Sequence, residues 1–195
     1  MVCDPGSTLI LALHDGGTVW VANVGDSRGV FSTDTGLAVP MSYDHKPCQL
    51  KEKKRIQEAG GFVAMNGVWR VMGVLATSRA LGDYPLKVRR NWFYFSFRFI
   101  SFLCCQDKKV VVCDPDILTF SIKDHRMQFG VLASDGLWDT HTNEDAVSVL
   151  ASRVTKESKL GSEVLAREAY DRGSLDNITV LVIDFQKIAA KLTGK

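Results

Sequence analysis

Short aliphatic and β-branched runs, each broken within a few residues by glycine beside aspartate, recur through this chain and restrict it to folds built from antiparallel sheets. "STLILAL" and "TVWVANV" flank "HDGG", whose glycines suit a tight hairpin. "VGDSRG" then separates the second run from "GVFST", and "DTG" closes the third. The pattern predicts an antiparallel β-meander in the opening third, with Asp26 in a turn at a strand end. Further along, "DPDILTFSI" and "QFGVLAS" read as strands, and "NITVLVIDF" is so continuously apolar that a central, buried strand is expected.

Helical signals lie between these runs. "QLKEKKRIQEA", Gln49 to Ala59, is rich in helix formers and ends at Gly60 and Gly61. Its alternating charges read as a solvated face. Asn66-Gly67 marks a hairpin inside "FVAMNGVWRV", and "GVLATSRALGDYPL" reads as a loop and a short helix ended near Gly82. This middle part forms a small flap of helix and hairpin, about residues 41–72. "TNEDAVSVLASRV" has Thr142 to cap it, Glu144 and Asp145 in its first turn and an apolar stripe at Ala146, Val149 and Leu150. A second helix is expected from Ser162 to Tyr170. The stretch 88–109, aromatic residues crowded among Arg89, Arg90 and Arg98, fits neither a strand nor a helix period.

Composition removes several classes. A length of 195 residues with 24% charged residues is that of one ordinary globular domain, and a net charge of +2 is too small to argue for nucleic acid. Five cysteines without a CxxC pair suggest neither a disulfide framework nor a zinc site, so a reducing, cytoplasmic setting is expected. "NWFYFSFRFISFLCC" falls short of the ~20 apolar residues that span a bilayer, and Arg98 interrupts it.

The chemistry gathers on aspartates. Asp135 follows the strand "FGVLA", Asp176 precedes "NITVLVIDF", Asp26 lies at the turn after "TVWVANV", and Asp139 stands one loop step beyond Asp135. If the two strands run antiparallel side by side, these ends meet. Carboxylates brought together repel unless a cation sits among them, and oxygen donors without Cys or His favour a hard ion such as Mg²⁺ or Mn²⁺. Taken singly, each aspartate beside glycine is an ordinary turn former. "HDGG" is a decoy of this kind, because the hairpin accounts for its glycines. His45, His125 and His141 are isolated in sequence, and no Ser/His/Asp or Cys/His set declares itself. Trp138 reads as an aromatic that holds its loop.

The stretches "VANVGDSRG", "DHKP", "RIQEAGGFV", "WRVMGVLATSRALGD", "VLASDGLWD" and "SLDNITVLVI" together resemble the metal-dependent protein phosphatases of type 2C, the PPM family. Wording such as "SRALGDYPLK" is similar to the epsilon or 1-like branch. The resemblance implies an α+β fold, a β-sandwich of two antiparallel sheets flanked by helices. It also implies a serine/threonine phosphatase that hydrolyses phosphoserine and phosphothreonine with metal-activated water. Mg²⁺ or Mn²⁺ is the implied cofactor, two ions in a complete member and a third at a weaker position. Asp135 and Asp176 map to ligands of the main centre, Asp26 and Asp139 to the accessory ion; no other catalytic residue is implied. Phosphoprotein substrates and a monomer are expected, with no nucleic acid and no membrane span in this chain.

The resemblance covers residues 1–187 as the C-terminal two-thirds of the domain, with 188–195 as a tail. Relative to the family pattern the chain is expected to be N-terminally truncated: the "DGHGG" segment with its bridging Asp is absent, and "HDGG" falls too late to replace it. An exposed sheet edge and apolar face should follow. Any membrane association would reside in an N-terminal segment not present here. Two further readings stand beside the enzyme. One is a catalytically inactive family member acting as a binding or regulatory fragment; the other is a metal-dependent nuclease or phosphodiesterase, for which the expected basic, aromatic-lined groove is missing outside 88–109.

Overall fold

The computed structural model describes residues 5–87, 109–154 and 161–192. The atypical stretch 88–109 thus lies, apart from Lys109, outside the described residues. In chain order the elements begin with β1 (Gly6–Ser7), β2 (Leu9–Asp15), β3 (Thr18–Val24), β4 (Arg28–Thr33) and β5 (Ala38–Pro40). There follow α1 (Leu50–Glu58), β6 (Val63–Asn66), β7 (Val68–Val71), β8 (Leu81–Gly82) and α2 (Tyr84–Lys87). The remainder comprises β9 (Asp116–Ser121), β10 (Met127–Ala133), α3 (Asp135–Trp138), α4 (Asn143–Val154), α5 (Gly161–Asp171), β11 (Val180–Asp184) and α6 (Phe185–Leu192). They divide into two compact units, Met1–Leu9 with His45–Asp114 and Ile10–Asp44 with Pro115–Lys195, where length alone suggests one domain.

The unit of Ile10–Asp44 and Pro115–Lys195 contains two sheets, of order β11-β10-β4-β5 and β2-β3-β9. Val19 and Val21 of β3 share a buried core with Phe31 of β4 and Leu132 of β10, so the sheets pack face to face. The opposite face of the four-stranded sheet turns Val30, Val131 and Ala133 toward Leu137, Leu150 and Leu165 of the helices. The expected meander is therefore corrected at one point. β3 and β4 belong to different sheets, and the turn at Gly25–Ser27 carries the chain between layers, because residues of both strands must meet across the core.

A break in register between Met127 and Phe129 explains how β10 serves both cores. One extra residue flips the alternation, so Met127 faces the sandwich while Phe129, Val131 and Ala133 face the helices.

β11 also departs from expectation, since it stands at an edge of its sheet and Leu181 is exposed. Its run is apolar because both faces reach a core: Val180 and Val182 pack on the helix side and Ile183 on the sandwich side, each partly buried. The tail expected from 188 begins inside α6, whose Ile188 and Ala189 pack against the sandwich core. On the outer face of the three-stranded sheet, Leu11, Leu13 and Ile117 are exposed by 52, 61 and 60%. These are the apolar side chains that an uncovered sheet presents.

In the unit of Met1–Leu9 and His45–Asp114, α1 and the β6–β7 hairpin enclose Ile56, Val71, Ala80 and Val111. The hairpin turns at Gly67 with a positive φ of 70°, as Asn66-Gly67 predicts. The short helix forms after Gly82 and not before it. β1 and β8 backbones approach so closely at Gly82 that a Cβ there would meet the Pro5 carbonyl at 2.4 Å, and Pro85 suits the first turn that follows.

The charges of α1 are likewise more than a solvated face. Glu52 is buried at 1% exposure and accepts from Arg79 Nη2 at 2.6 Å, Arg55 Nη2 at 2.8 Å and Ser78 Oγ at 2.7 Å. Burial alone would raise its pKa, but the hydrogen bonds from Arg79, Arg55 and Ser78 outweigh it and hold the carboxyl down at about 2.

Because that folded value lies below the ordinary one, the carboxylate stabilises the unit fully above about pH 4.5. The contribution is lost as pH falls toward about 2. Glu52→Gln is expected to cost about 3 kcal/mol at neutral pH, since it leaves two buried or half-buried guanidinium groups uncompensated. Urea unfolding at pH 7 and pH 3 checks this: the two proteins should differ at pH 7 and draw together in acid.

Candidate active site

Three strand ends assemble one edge of the sandwich unit. β10 pairs antiparallel with β11 so that Ala133 lies opposite Val180, and with β4 so that Ala133 lies opposite Arg28. Asp135 leaves this edge two residues after Ala133, Asp26 enters it two residues before Arg28, and Asp176 approaches it four residues before Val180. The antiparallel pairing that the sequence argument required is present.

Local contacts fix each arrival. Ser134 is extended, at ψ 165°, and α3 begins with Asp135. Ser134 N–H donates to the Thr179 carbonyl at 3.1 Å, its hydroxyl donates to the Asn177 carbonyl at 3.0 Å, and it accepts from Thr179 N–H at 3.0 Å. Ser174 Oγ donates to the Gly136 carbonyl at 2.6 Å. Gly136 is required by close approach: a Cβ would lie 2.5 Å from the Asn177 carbonyl oxygen. Start of helix and returning loop are thus interlocked, and the interlock sets Asp135 relative to Asp176. On the third arrival, Asn23 Nδ2 donates to the Gly25 and Tyr43 carbonyls at 3.1 Å each, bracing the turn that holds the buried Asp26.

At the far end of α3, Trp138 Nε1 donates to the Ala133 carbonyl at 3.0 Å, and the Arg28 guanidinium lies 5.2 Å from the indole centroid. Arg28 forms a two-pronged pair with Asp44, Nε to Oδ1 and Nη2 to Oδ2 at 2.8 Å each, and donates from Nη1 to Asn143 Oδ1 at 3.0 Å. The hydrogen bonds to Asp44 raise the Arg28 pKa above its ordinary value, with Asp139 adding to the same effect. Beyond α3, Thr142 and Asp145 cap α4 reciprocally, the hydroxyl accepting from Asp145 N–H and the carboxylate from Thr142 N–H at 3.1 Å each.

The donors suit a hard divalent ion in kind but not in arrangement. Among the described residues no three His, Cys, Asp or Glu side chains converge as a metal would require. Asp176 Oδ1 is engaged by Asn177 N–H at 2.6 Å, and Asp26 is buried. The structure brings the strand ends that bear Asp26, Asp135 and Asp176 to one edge, with Asp139 beyond α3, and does not close the four into a ligand set among the described residues.

The "HDGG" decoy behaves as expected, with Gly16 and Gly17 at positive φ in the β2–β3 hairpin. His141 is not isolated in space: it is buried, its Nδ1 is 2.9 Å from Thr140 Oγ1 and its Nε2 is 3.7 Å from Glu168. Sequence reasoning missed Arg28, Asp44, Ser134 and Ser174. Arg28 and Asp44 stand 16 residues apart, and nothing in sequence joins "GDSR" to "DHKP".

Comparison with known proteins identifies the family. The sequence profile described as Protein phosphatase 2C matches residues 2–178, and the chain belongs to that family. Protein phosphatase 1L of Bos taurus is 46% identical over 183 residues, which cover 94% of this chain and 45% of that protein. That similarity is in line with the 1-like branch. Probable protein phosphatase 2C 59 of Arabidopsis thaliana is 43% identical over 182 residues, 93% of this chain and 50% of that protein. The chain therefore spans about half the length of these relatives. Among solved structures, a phosphatase from a pathogenic strain of Toxoplasma gondii superposes with a TM-score of 0.71 at 29% identity, over 86% of this chain and 48% of that one. A sex determining protein of C. elegans gives 0.74 at 24% identity, over 96% and 42%, and bears on the fold alone.

Gly136→Ala is expected to push the Asn177 loop away from α3 at a cost of roughly 1–3 kcal/mol. The check is urea unfolding combined with amide exchange, which should rise at Ser134 and Thr179, the two amides of the interlock, before it rises in the centre of β10.

Proposed function

We propose that the chain serves protein serine/threonine phosphatase activity, the hydrolysis of phosphoserine and phosphothreonine on protein substrates with Mg²⁺ or Mn²⁺ as cofactor. The observation that carries this reading is the convergence of three strand ends bearing Asp26, Asp135 and Asp176 in a member of the protein phosphatase 2C family. Asp135 and Asp176 are assigned to the main metal centre and Asp26 and Asp139 to an accessory ion, an assignment supported by their placement at one edge and by their all-oxygen chemistry. The residues of the interlock, Ser134, Gly136 and Ser174, hold Asp135 and Asp176 in place and move no proton. Residues 41–72 form the flap to which substrate preference is assigned. Among the described residues no helix is long and apolar enough to cross a membrane.

A second reading, a family member that binds phosphoproteins without hydrolysing them, is favoured by one observation. No three carboxylates converge among the described residues. Mn²⁺-dependent hydrolysis of p-nitrophenyl phosphate by the full chain, with Asp135→Asn as control, separates the two. Hydrolysis that the substitution abolishes supports the enzyme; no hydrolysis, with phosphopeptide binding retained, supports the binding protein.

A further inference from the structure

α3 consists of four residues, a single turn, and a helix of that length does not hold itself together. Its N-terminal end is fixed by the interlock with the loop at Asn177. Beyond its C-terminal end, which Asp139 follows directly, the Thr140 carbonyl accepts from Arg172 Nη1 at 3.2 Å, and the turn itself is held by a second set of contacts.

Three contacts form a closed ring at that end. The backbone of Arg28 lies opposite Ala133 in the β4–β10 register. The Ala133 carbonyl accepts from the Trp138 indole N–H at 3.0 Å. The face of the same indole is covered by the Arg28 guanidinium, 5.2 Å from its centroid. The indole is thereby held at its edge by one strand and at its face by the next. The guanidinium is itself immobilised, two-pronged on Asp44 and singly on Asn143 Oδ1. Asp44 belongs to a segment tied to the start of β4 by Met41 N–H to the Gly29 carbonyl at 2.7 Å and Gly29 N–H to Ser42 Oγ at 2.9 Å. A planar, forked cation is needed for all of this; an ammonium can pair with Asp44 but can neither fork nor stack.

We propose that Arg28 is a positioning residue, clamping Trp138 so that the turn carrying Asp135 and Asp139 stays wound at the strand edge. The inference rests on the reading of those aspartates as site residues, and it assigns to Arg28 no contact with substrate.

The test is hydrogen exchange on the full chain, comparing amides bonded within this turn with amides of the sheet centre. Leu137, Asp139 and His141 N–H donate inside the turn, to Ser134, Asp135 and Leu137 carbonyls. Val131 and Val182 lie opposite each other in the middle of the β10–β11 pair. In Arg28→Met the turn amides should exchange roughly tenfold faster while the sheet amides keep their rates. Arg28→Lys should fall between the variant and the wild type. Turn amides that keep the wild-type rate overturn the proposal, as does an equal acceleration of turn and sheet, which would mark a merely global loss of stability. If Arg28→Met does not fold, the same comparison is made with Arg28→Lys; failure of both to fold overturns the proposal, since a residue that only positions α3 is dispensable to the sheets.

Hydrolysis of p-nitrophenyl phosphate by the wild type is measured separately. Localised exchange without hydrolysis leaves the positioning role and removes the phosphatase reading. Hydrolysis with unlocalised exchange does the reverse.

Discussion

The antiparallel alignment of β4, β10 and β11 at the level of Ala133 is the constraint on which the rest of this edge depends. With Ala133 opposite both Arg28 and Val180, the chain leaves one strand and enters two others at the same height. A slip of one residue in either pairing would turn the side chains of β4 or β11 to the opposite face and shift the point at which the Asp26 turn or the Asp176 loop meets the edge. A slip of β4 would also carry the Arg28 guanidinium away from the Trp138 indole. The register therefore decides both where the aspartates arrive and whether the turn after β10 can be held.

Much of this was legible in sequence, for a physical reason that also sets its limits. Strand runs, the Asn66-Gly67 hairpin and the Thr142 cap are local signals, written within a few residues of the structure they specify. The antiparallel pairing of β10 with β11 was legible because it needed only direction and adjacency. What sequence could not supply was layer membership. Nothing in "VGDSRG" distinguishes a hairpin from a crossing between sheets, since both use a glycine at positive φ. Nor does an apolar run reveal whether a strand is central: β11 sends side chains into both cores and still ends its sheet. For the candidate site, strand direction was legible and carboxylate geometry was not: three strand ends share an edge, yet among the described residues no three carboxylates meet.

The two units also organise charge in opposite ways. In the sandwich unit the principal ion pair, Arg28 with Asp44, is half-buried and is tied to the position of an aromatic ring. In the other unit Glu52 is sealed beneath Arg55 and Arg79, and its partners add backbone contacts to the carbonyls of Ser78, Val110 and Asp114. A buried pair of that kind contributes little over an apolar core of equal volume, yet it tolerates few alternatives. It ties α1 to the segments at Ser78 and Val110, which are distant in sequence.

The register break between Met127 and Phe129 has a consequence for how this fold tolerates change. The β9–β10 turn lies at the end of the sandwich remote from the aspartates. A residue gained or lost there would, in an unbroken ladder, shift every pair up to Ala133. With the break in place, the first residue of β10 can change its alignment while Phe129 through Ala133 keep theirs. The bulge thus works as a slip joint, absorbing length variation in a distal crossing between the sheets before it reaches the edge with the aspartates, and that crossing is where insertions should accumulate without disturbing the edge.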